Sequence, residues 1–309
     1  MKKSLIALAV ASAFAAPAFA ATGNVDVYGK LRVSLSYVNP DDGSSFWGVG
    51  DEVSRIGFKG SEDLGGGMKA IWQIEQGLGG SAMGGVGTGS LASRNTFVGL
   101  AGGFGTVVMG RHDTPYKLAG SADLFGDTLA DAQGSAGIIG YQGGAVSFDY
   151  RAPNALAYIS PDFSGFHAAV AIIPGEDLTD AYSLAGIYNN GPLKATLAYE
   201  DHNNIADESA WKLNVGYTMG DLVLGATYEN QDYGDNYDAW LVSAAYNMGP
   251  ITLAGQYGDR EIGDLKRFTL GMIYSLSKRT NVAVAYNNDD ADGSAHDADA
   301  ITFQVNHDF

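Results

Sequence analysis

Apolar side chains recur at every second position along most of the second half of this chain. In the segment 193–200, Leu197 and Tyr199 fall on one face of an extended chain, while Lys194 and Glu200 fall on the other. An α-helix repeats every 3.6 residues and a strand every two, so this alternation predicts strands with one apolar face and one small or polar face. The same period returns in segments that begin at residues 211, 222, 240, 251, 268, 282 and 301.

The connections between these segments alternate between two kinds. There are tight turns at 189–192, 219–221, 247–250 and 277–279, and longer acidic stretches at 201–208, 231–238, 259–264 and 288–299. Such sidedness is typical of transmembrane β-barrels. The longest strictly apolar run beyond residue 20 is Ala168–Ile173, whereas a bilayer-spanning helix needs about 20 residues. If the chain spans a membrane it must do so as a closed barrel, because only helices and closed barrels satisfy their backbone groups in lipid.

Aromatic residues mark the ends of the alternating segments. They lie on the apolar face near the carboxyl end of each strand, at Tyr199, Tyr217, Tyr228, Tyr246, Tyr257, Tyr274, Tyr286 and Phe309. Because strand direction alternates, these positions would form two girdles at the two membrane surfaces. The alternative is the core of a soluble sheet, but such a core would favour Leu, Ile and Val without a preference for strand ends.

Sixteen strands are predicted over residues 21–309, which gives an all-β, antiparallel transmembrane barrel. A barrel of this size leaves an aqueous channel. The connection from His112 to about Ser147 is far longer than the others, and we expect this third loop to fold inward and narrow the lumen. The predicted strands begin near residues 24, 52, 68, 91, 105, 149, 166, 181, 193, 209, 222, 238, 251, 266, 280 and 300.

Residues 1–20 read as a secretory signal peptide. Lys2 and Lys3 precede an apolar stretch, and Ala18-Phe19-Ala20 forms a small-residue cleavage site. We therefore expect an exported protein that occupies residues 21–309. The absence of cysteine excludes disulfides and thiolate sites. A net charge of −17 argues against nucleic acid as a partner, because phosphate binding needs a basic face.

Residue patterns for catalysis, metals or cofactors are absent. The five histidines are scattered, and no hydrolase, zinc-protease or phosphate-loop motif occurs. We therefore expect no catalytic residues, no metal site and no cofactor. Residues 79–89 are interpreted as a flexible glycine-rich loop. Residues 289–293 faintly resemble a calcium loop but lack its spacing and closing Glu, so an acidic solvated loop is the default interpretation.

A family pattern is carried by the segments 26–30, 55–65, 69–76, 94–100, 103–111 and 158–166 and by the terminal Phe309. These segments resemble the general diffusion porins of Gram-negative outer membranes, most closely the neisserial and beta-proteobacterial type. The resemblance implies a homotrimer of sixteen-stranded barrels in the outer membrane, with loop three bent into each pore. Ions and small hydrophilic solutes would diffuse through it passively. Lipid, lipopolysaccharide and the barrel-insertion machinery are the implied partners.

The resemblance also implies site residues. Pore-lining positions carry over to Lys30, Arg55, Arg94, Arg111 and Arg151, and Arg32 joins them because it shares the face of Lys30. Alternation also places Lys30, Arg55 and Arg94 opposite the apolar face, with Asn95 and Phe97 taken as the apolar side for Arg94.

Acidic and terminal positions complete the predicted set. In the long loop, Asp123 and Asp127 resemble part of the constriction motif, although the usual Pro-Glu pair before Phe125 is missing. Solvated loop acids and wall charges without a selective role are the alternatives. Phe309 is the predicted assembly signal.

Two rival functions stay open. A substrate-specific outer-membrane channel would need aromatic or basic ladders, and a purely structural barrel would not conduct. The acidic mouth and basic neck predict a modest anion preference at high salt that weakens or reverses towards cations at low salt, near about 0.01 M. A small-residue outer wall at Gly29, Gly99, Ala101 and Gly110 is expected to face a neighbouring protomer, and Trp211 and Trp240 are expected to face lipid.

Overall fold

One antiparallel sheet closes on itself, since β1 pairs with β17. The computed structural model describes residues 24–41, 43–79, 92–175, 180–203, 206–291 and 297–309. The predicted signal peptide, nearly all of the glycine-rich segment and part of 289–293 lie outside these ranges. The strands are β1 Asn24–Pro40, β2 Phe46–Asp51, β3 Arg55–Gly65, β4 Met68–Gly77, β5 Thr96–Gly102, β6 Gly105–Asp113, β7 Arg151–Ile159, β8 Phe166–Ile173, β9 Ala181–Asn190, β10 Leu193–Asp201, β11 Ser209–Met219, β12 Leu222–Asp232, β13 Asn236–Met248, β14 Ile251–Arg260, β15 Leu265–Ser275, β16 Thr280–Ala291 and β17 Ala298–Asp308.

The predicted count of sixteen spanning strands is confirmed, because β2 and β3 are two parts of one strand. β2 pairs with the second half of β1 and β3 with its first half. The break between them remains bonded to β1: the Glu52 amide donates to the Arg32 carbonyl at 2.8 Å, and the Arg32 amide donates to Ser54 Oγ at 2.9 Å. The predicted start at residue 52 falls in this break, whereas the strand begins at Phe46.

Helix is confined to one short piece of the described residues. This helix, α1 Pro115–Leu118, is a single turn. None of the helical structure in the described ranges has the length and apolar character needed to cross a bilayer.

Side chains alternate between the outside and the lumen as the period of two requires. Along β13, Trp240, Val242 and Tyr246 are exposed, while Leu241 and Ser243 are buried. The exposed side is therefore the apolar one, which is the reverse of a soluble sheet and fits a hydrocarbon surrounding. All eight predicted girdle aromatics are exposed on this outer face, as are Trp211 and Trp240.

The predicted small-residue outer wall is wrong at three of its four positions. Val98 and Leu100 are exposed on the outer face, so Gly99 and Ala101 between and beside them point into the lumen. Gly110 lies opposite Phe97, whose ring packs among inward residues. Only Gly29 faces outward, beneath the ring of Phe309. The error arose because glycine and alanine carry no apolar bulk by which their face could be assigned.

Loop three, residues 114–150, folds into the barrel and bonds to its inner wall. The N-terminal half bonds along the wall from β9 to β17, where inward side chains contact the loop backbone at 2.7 to 3.0 Å. These side chains are Ser183 of β9, Thr196 of β10, Thr227 of β12, Gln256 of β14 and Gln304 of β17.

The second half of loop three returns along the same wall. Arg267 and Arg260 donate to the carbonyls of Asp131 and Gly137, and the Gly140 amide donates to Glu229 at 2.8 Å. Polar lumen residues thus supply the partners that the loop backbone lacks in itself, as buried backbone groups require. The expected inward fold of this loop is present in the structure.

Inward glycines make room for the apolar residues of the loop. A Cβ on Gly258 would lie 2.9 Å from Ile138, and a Cβ on Gly271 would lie 2.5 Å from the Phe125 ring. Phe125 and Ile138 are both buried against alanine-rich parts of the wall. Loop three is therefore held to the wall by apolar packing against inward glycines and alanines as well as by hydrogen bonds.

We expect Gly271→Ala to destabilise the folded barrel by about 1–3 kcal/mol, the usual cost of overpacking. The new Cβ meets Phe125 at 2.5 Å and the Val284 carbonyl at 2.9 Å, and the carbonyl cannot move without disturbing the sheet. Urea unfolding in detergent micelles measures the change. Gly103→Ala, where a Cβ meets no atom within 4 Å, is the matched control. Equal unfolding midpoints for the two variants would contradict the close packing of Phe125 against Gly271.

Candidate functional site

A cavity of about 790 Å³ lies between loop three and the wall formed by the early strands. Its lining is unusually rich in charge for a space inside a protein. The acidic members are Glu52, Asp113, Asp123, Asp127, Asp131 and Asp149, and the basic members are Arg94, Lys117, Arg151 and Arg267. We call this space the neck.

Asp127 joins the loop to the wall. Its carboxylate lies 3.1 Å from Arg55 Nη1 and 3.5 Å from Arg32 Nε. The Asp127 carbonyl accepts from Gln304 at 3.0 Å, and its amide donates to Asp131 at 2.9 Å. Asp127 therefore contacts two of the predicted basic residues directly, rather than facing them across an open gap.

Arg94 pairs with a carboxylate that sequence reasoning missed. Its Nε lies 2.6 Å from Glu75, which also accepts from the Tyr28 hydroxyl at 3.0 Å. Arg94 faces the neck as expected, but Asn95 and Phe97 do not mark the apolar face, because both side chains also point inward. Arg94 precedes β5, so the strand alternation does not reach it.

Arg151 has a similar partner on the wall. Its Nε lies 2.9 Å from Asp113 and 2.8 Å from the Asn95 side-chain oxygen. Asn95 also donates to Asp113 at 2.9 Å, so the three side chains form one network. Alternation along β4 could have revealed Glu75, but nothing local distinguishes Asp113 from an ordinary loop acid.

Lys30 and Arg111 differ from the other predicted wall residues. Neither makes an ion pair within 4 Å to any residue in the described ranges. Lys30 lies opposite Arg55 in the β1–β3 pair. Arg111 lies at a register shift between Gly110 and His112, and its buried Nε has no hydrogen-bond partner among the described residues. Simple alternation cannot assign a face to a residue in such a bulge.

The pKa values of two loop carboxylates, Asp131 and Asp149, are shifted in opposite directions. Burial and the neighbouring Asp123 carboxylate raise the pKa of Asp131 well above its ordinary value. Burial would also raise the pKa of Asp149, but Lys117 at 2.6 Å and a hydrogen bond from Gln133 together hold it below its usual range. Asp123 lines the neck beside Asp131, and the Asp123 Oδ1 accepts a hydrogen bond from the Phe125 amide at 3.0 Å.

Comparison with known proteins identifies the family. A model of the Gram-negative porin family matches residues 7–294. Outer membrane porin protein 32 of Delftia acidovorans is 34% identical over 244 residues, 71% of this chain and 67% of that protein. The major outer membrane protein P.IB of Neisseria gonorrhoeae is 36% identical over 185 residues, 57% of this chain and 49% of its own. The chain thus matches about half the length of this neisserial relative.

Solved structures agree with the sequence relatives. The anion-selective porin from Comamonas acidovorans is 25% identical and superposes with a TM-score of 0.78, covering 93% of this chain and 100% of its own. A trimer form of OmpT from Vibrio cholerae shares the fold, with a TM-score of 0.68 at 19% identity. With a closed sixteen-stranded barrel, an inward third loop and a family match over nearly all of its length, this chain belongs to the Gram-negative porin family and is an outer-membrane porin.

Proposed function

We propose that ions and small hydrophilic solutes diffuse passively through the neck, which acts as the charged constriction of the pore. The contact of Asp127 with Arg32 and Arg55 carries this proposal, because it brings loop three against the basic wall and closes off part of the lumen. Lys30, Arg94, Arg111 and Arg151 supply the remaining positive side, and Asp123 lies on the loop side. A solute in the neck then crosses a transverse field.

The selectivity that we propose is weak and favours anions. Glu75 and Asp113 neutralise Arg94 and Arg151 locally, so basic and acidic groups nearly balance. When Lys30, Arg32, Arg55, Arg111 and Glu75 of the wall are added to the lining, eight basic groups face seven acidic ones. The raised pKa of Asp131 favours its neutral form and so adds to this small positive excess. The anion selectivity of the Comamonas porin supports this direction. At low salt the acidic outer loops act over a longer range and oppose it.

The rival functions predict different currents. A substrate-specific channel would saturate with one class of solute, and a structural barrel would carry no current. Planar-bilayer conductance of the purified protein in potassium chloride separates the three functions. Channel function in the related porins supports a channel rather than an enzyme.

The remaining features of the proposal concern assembly. A signal peptide at residues 1–20 would direct export of residues 21–309. The trimer form of OmpT supports a homotrimer. The outward aromatic and apolar face of the barrel would contact lipid and lipopolysaccharide.

We expect Arg94→Ala to lower, and Asp127→Asn to raise, the anion-to-cation permeability ratio in reversal-potential measurements. A charge a few ångströms from a passing ion contributes on the order of 1 kcal/mol in water, which screening at 1 M salt reduces to about a twofold change in the ratio. Lys278→Ala, in an exposed turn, is the control and should leave the ratio unchanged. If the channel prefers cations at 1 M salt and Arg94→Ala does not alter that preference, the neck is not the charged constriction that we propose.

The permeability ratio should also depend on pH through Asp131. A carboxyl with a raised pKa stays neutral to higher pH and ionises as the pH rises through that value, so the anion preference should fall as the pH increases. Asp131→Asn should flatten this profile. Asp149→Asn should keep it, because Asp149 is already ionised when Asp131 titrates. An unchanged profile in Asp131→Asn would assign the titration to another group.

Phe309 should matter more for assembly than for folding. Its backbone exchanges two hydrogen bonds of 3.0 Å with Gly29, and its exposed ring covers that glycine on the outer face. We expect Phe309→Ala to reduce the yield in the outer membrane strongly, while refolding in detergent changes little. Fractionation and heat-modifiable gel mobility measure the two quantities. Equal membrane yield for variant and wild type would remove the role of Phe309 as an assembly signal.

A further inference from the structure

A second concavity, of about 400 Å³, lies on the lumen wall near the short-turn end of the barrel. Most of its lining consists of inward residues of β1, β3, β4 and β5, and we call it the shelf. Asp26 precedes Lys30 on β1, so the shelf lies beyond the neck on the side of the start of β1. The start of β1 lies next to the end of β17, where the Asp308 amide donates to the Arg279 carbonyl in the tight turn between β15 and β16. The shelf is therefore on the short-turn side of the barrel. Its volume is within the range of small-molecule sites.

Four side chains of the shelf form one row across the sheet. Asp26 is paired with Lys59, Lys59 with Gln73, and Gln73 with Phe97 in the strand registers. Since neighbouring strands are about 4.8 Å apart, the row extends about 14 Å around the wall. One acid, one base, one amide and one aromatic ring therefore meet a solute side by side.

The apolar part of the shelf is rigid. Ile71 and Phe97 pack against the buried Val108, and the Phe97 ring lies 5.0 Å from that of His112. Gly99, next to Ile71 in the register, leaves no room for a side chain of its own, because a Cβ there would meet the Val107 carbonyl and Val108 Cγ1. The floor is therefore preformed and open to the lumen.

The charged part of the shelf is unsatisfied. Asp26 and Lys59 are direct cross-strand partners, yet they form no ion pair within 4 Å. The Asp26 carboxylate accepts no hydrogen bond from any residue in the described ranges. The Lys59 ammonium instead lies 5.2 Å from the centre of the Tyr28 ring. Both side chains are exposed to the lumen, so each retains its capacity to bind an opposite charge.

We propose that the shelf binds free α-amino acids with apolar side chains after they pass the neck. The ammonium group would pair with Asp26, the carboxylate with Lys59, and the side chain would lie on Ile71 and Phe97. A simple cation or anion would meet one attractive and one repulsive group, whereas a zwitterion satisfies both. The inference rests on the proposed diffusion function, because the solute reaches the shelf through the neck.

Block of the potassium chloride current in planar bilayers tests the shelf. Leucine added on the short-turn side should reduce the current in a concentration-dependent way. N-acetylleucine and leucinamide, which each keep only one of the two charges, should block only at about two- to fivefold higher concentration, the range expected for losing one exposed ion pair. Glycine, which has both charges but no side chain, should also block less well than leucine.

Substitutions then assign the block to residues. Asp26→Asn and Lys59→Gln should each raise the half-blocking leucine concentration about two- to fivefold while potassium chloride conductance persists. Asp63 and Lys69 are also direct partners on β3 and β4 but do not line the shelf, so Asp63→Asn and Lys69→Gln should leave the block unchanged.

The outcomes separate this inference from the proposed function. Amino-acid binding at the shelf would be contradicted by a conducting channel that leucine does not block. It would also be contradicted if both pairs of variants changed the block by leucine equally. A wild-type protein that carries no potassium chloride current would instead overturn the diffusion function.

Discussion

The backbone of every spanning strand must find its hydrogen-bond partners within the sheet, because hydrocarbon offers none. The pairing of β1 with β17 meets this requirement by removing both sheet edges. Closure then fixes the two surfaces, since successive side chains must point alternately to lipid and to water. The outer face becomes apolar with aromatic rims, and the inner face becomes small and polar. A barrel of sixteen strands is too wide to be filled by its own inward side chains, so the lumen is free for a folded segment.

Loop three uses that space by bonding to the wall rather than to itself. Ser183, Thr227 and Gln256 supply hydrogen bonds to its backbone, and glycines such as Gly271 leave room for its apolar side chains. The same polar alternation that keeps the lumen wet therefore provides a template for the loop. This attachment of loop three forms the neck, because it leaves the acidic edge of the loop facing the arginines of the early strands.

The parts of the structure that depend on a local pattern could be predicted from the sequence. Alternation and turn spacing located the strands, and alternation placed Lys30, Arg32 and Arg55 on the lumen face. Pairing between distant segments could not be obtained in this way. The contacts of Arg94 with Glu75 and of Arg151 with Asp113 depend on registers between strands, and the bulge at Arg111 interrupts the alternation.

Small residues formed the other limit of sequence reasoning. Gly99 and Gly110 have no side chain whose polarity could indicate a face, and their inward position emerges only from their neighbours in the sheet. A Cβ on Gly99 would meet the Val107 carbonyl and Val108 Cγ1, so the residue that carried the least information in the sequence is the one that lets Val108 pack closely against β5.

The attachment of loop three has a mechanical consequence. A thin cylinder is easily flattened by pressure from its sides, whereas a cylinder with an internal strut is not. Loop three leaves the sheet at β6, bonds to the wall as far as β17, and contacts β1 and β3 through Asp127. It thus braces opposite arcs of the wall, so that lateral pressure in the membrane and the packing of neighbouring proteins are resisted by the same segment that narrows the pore.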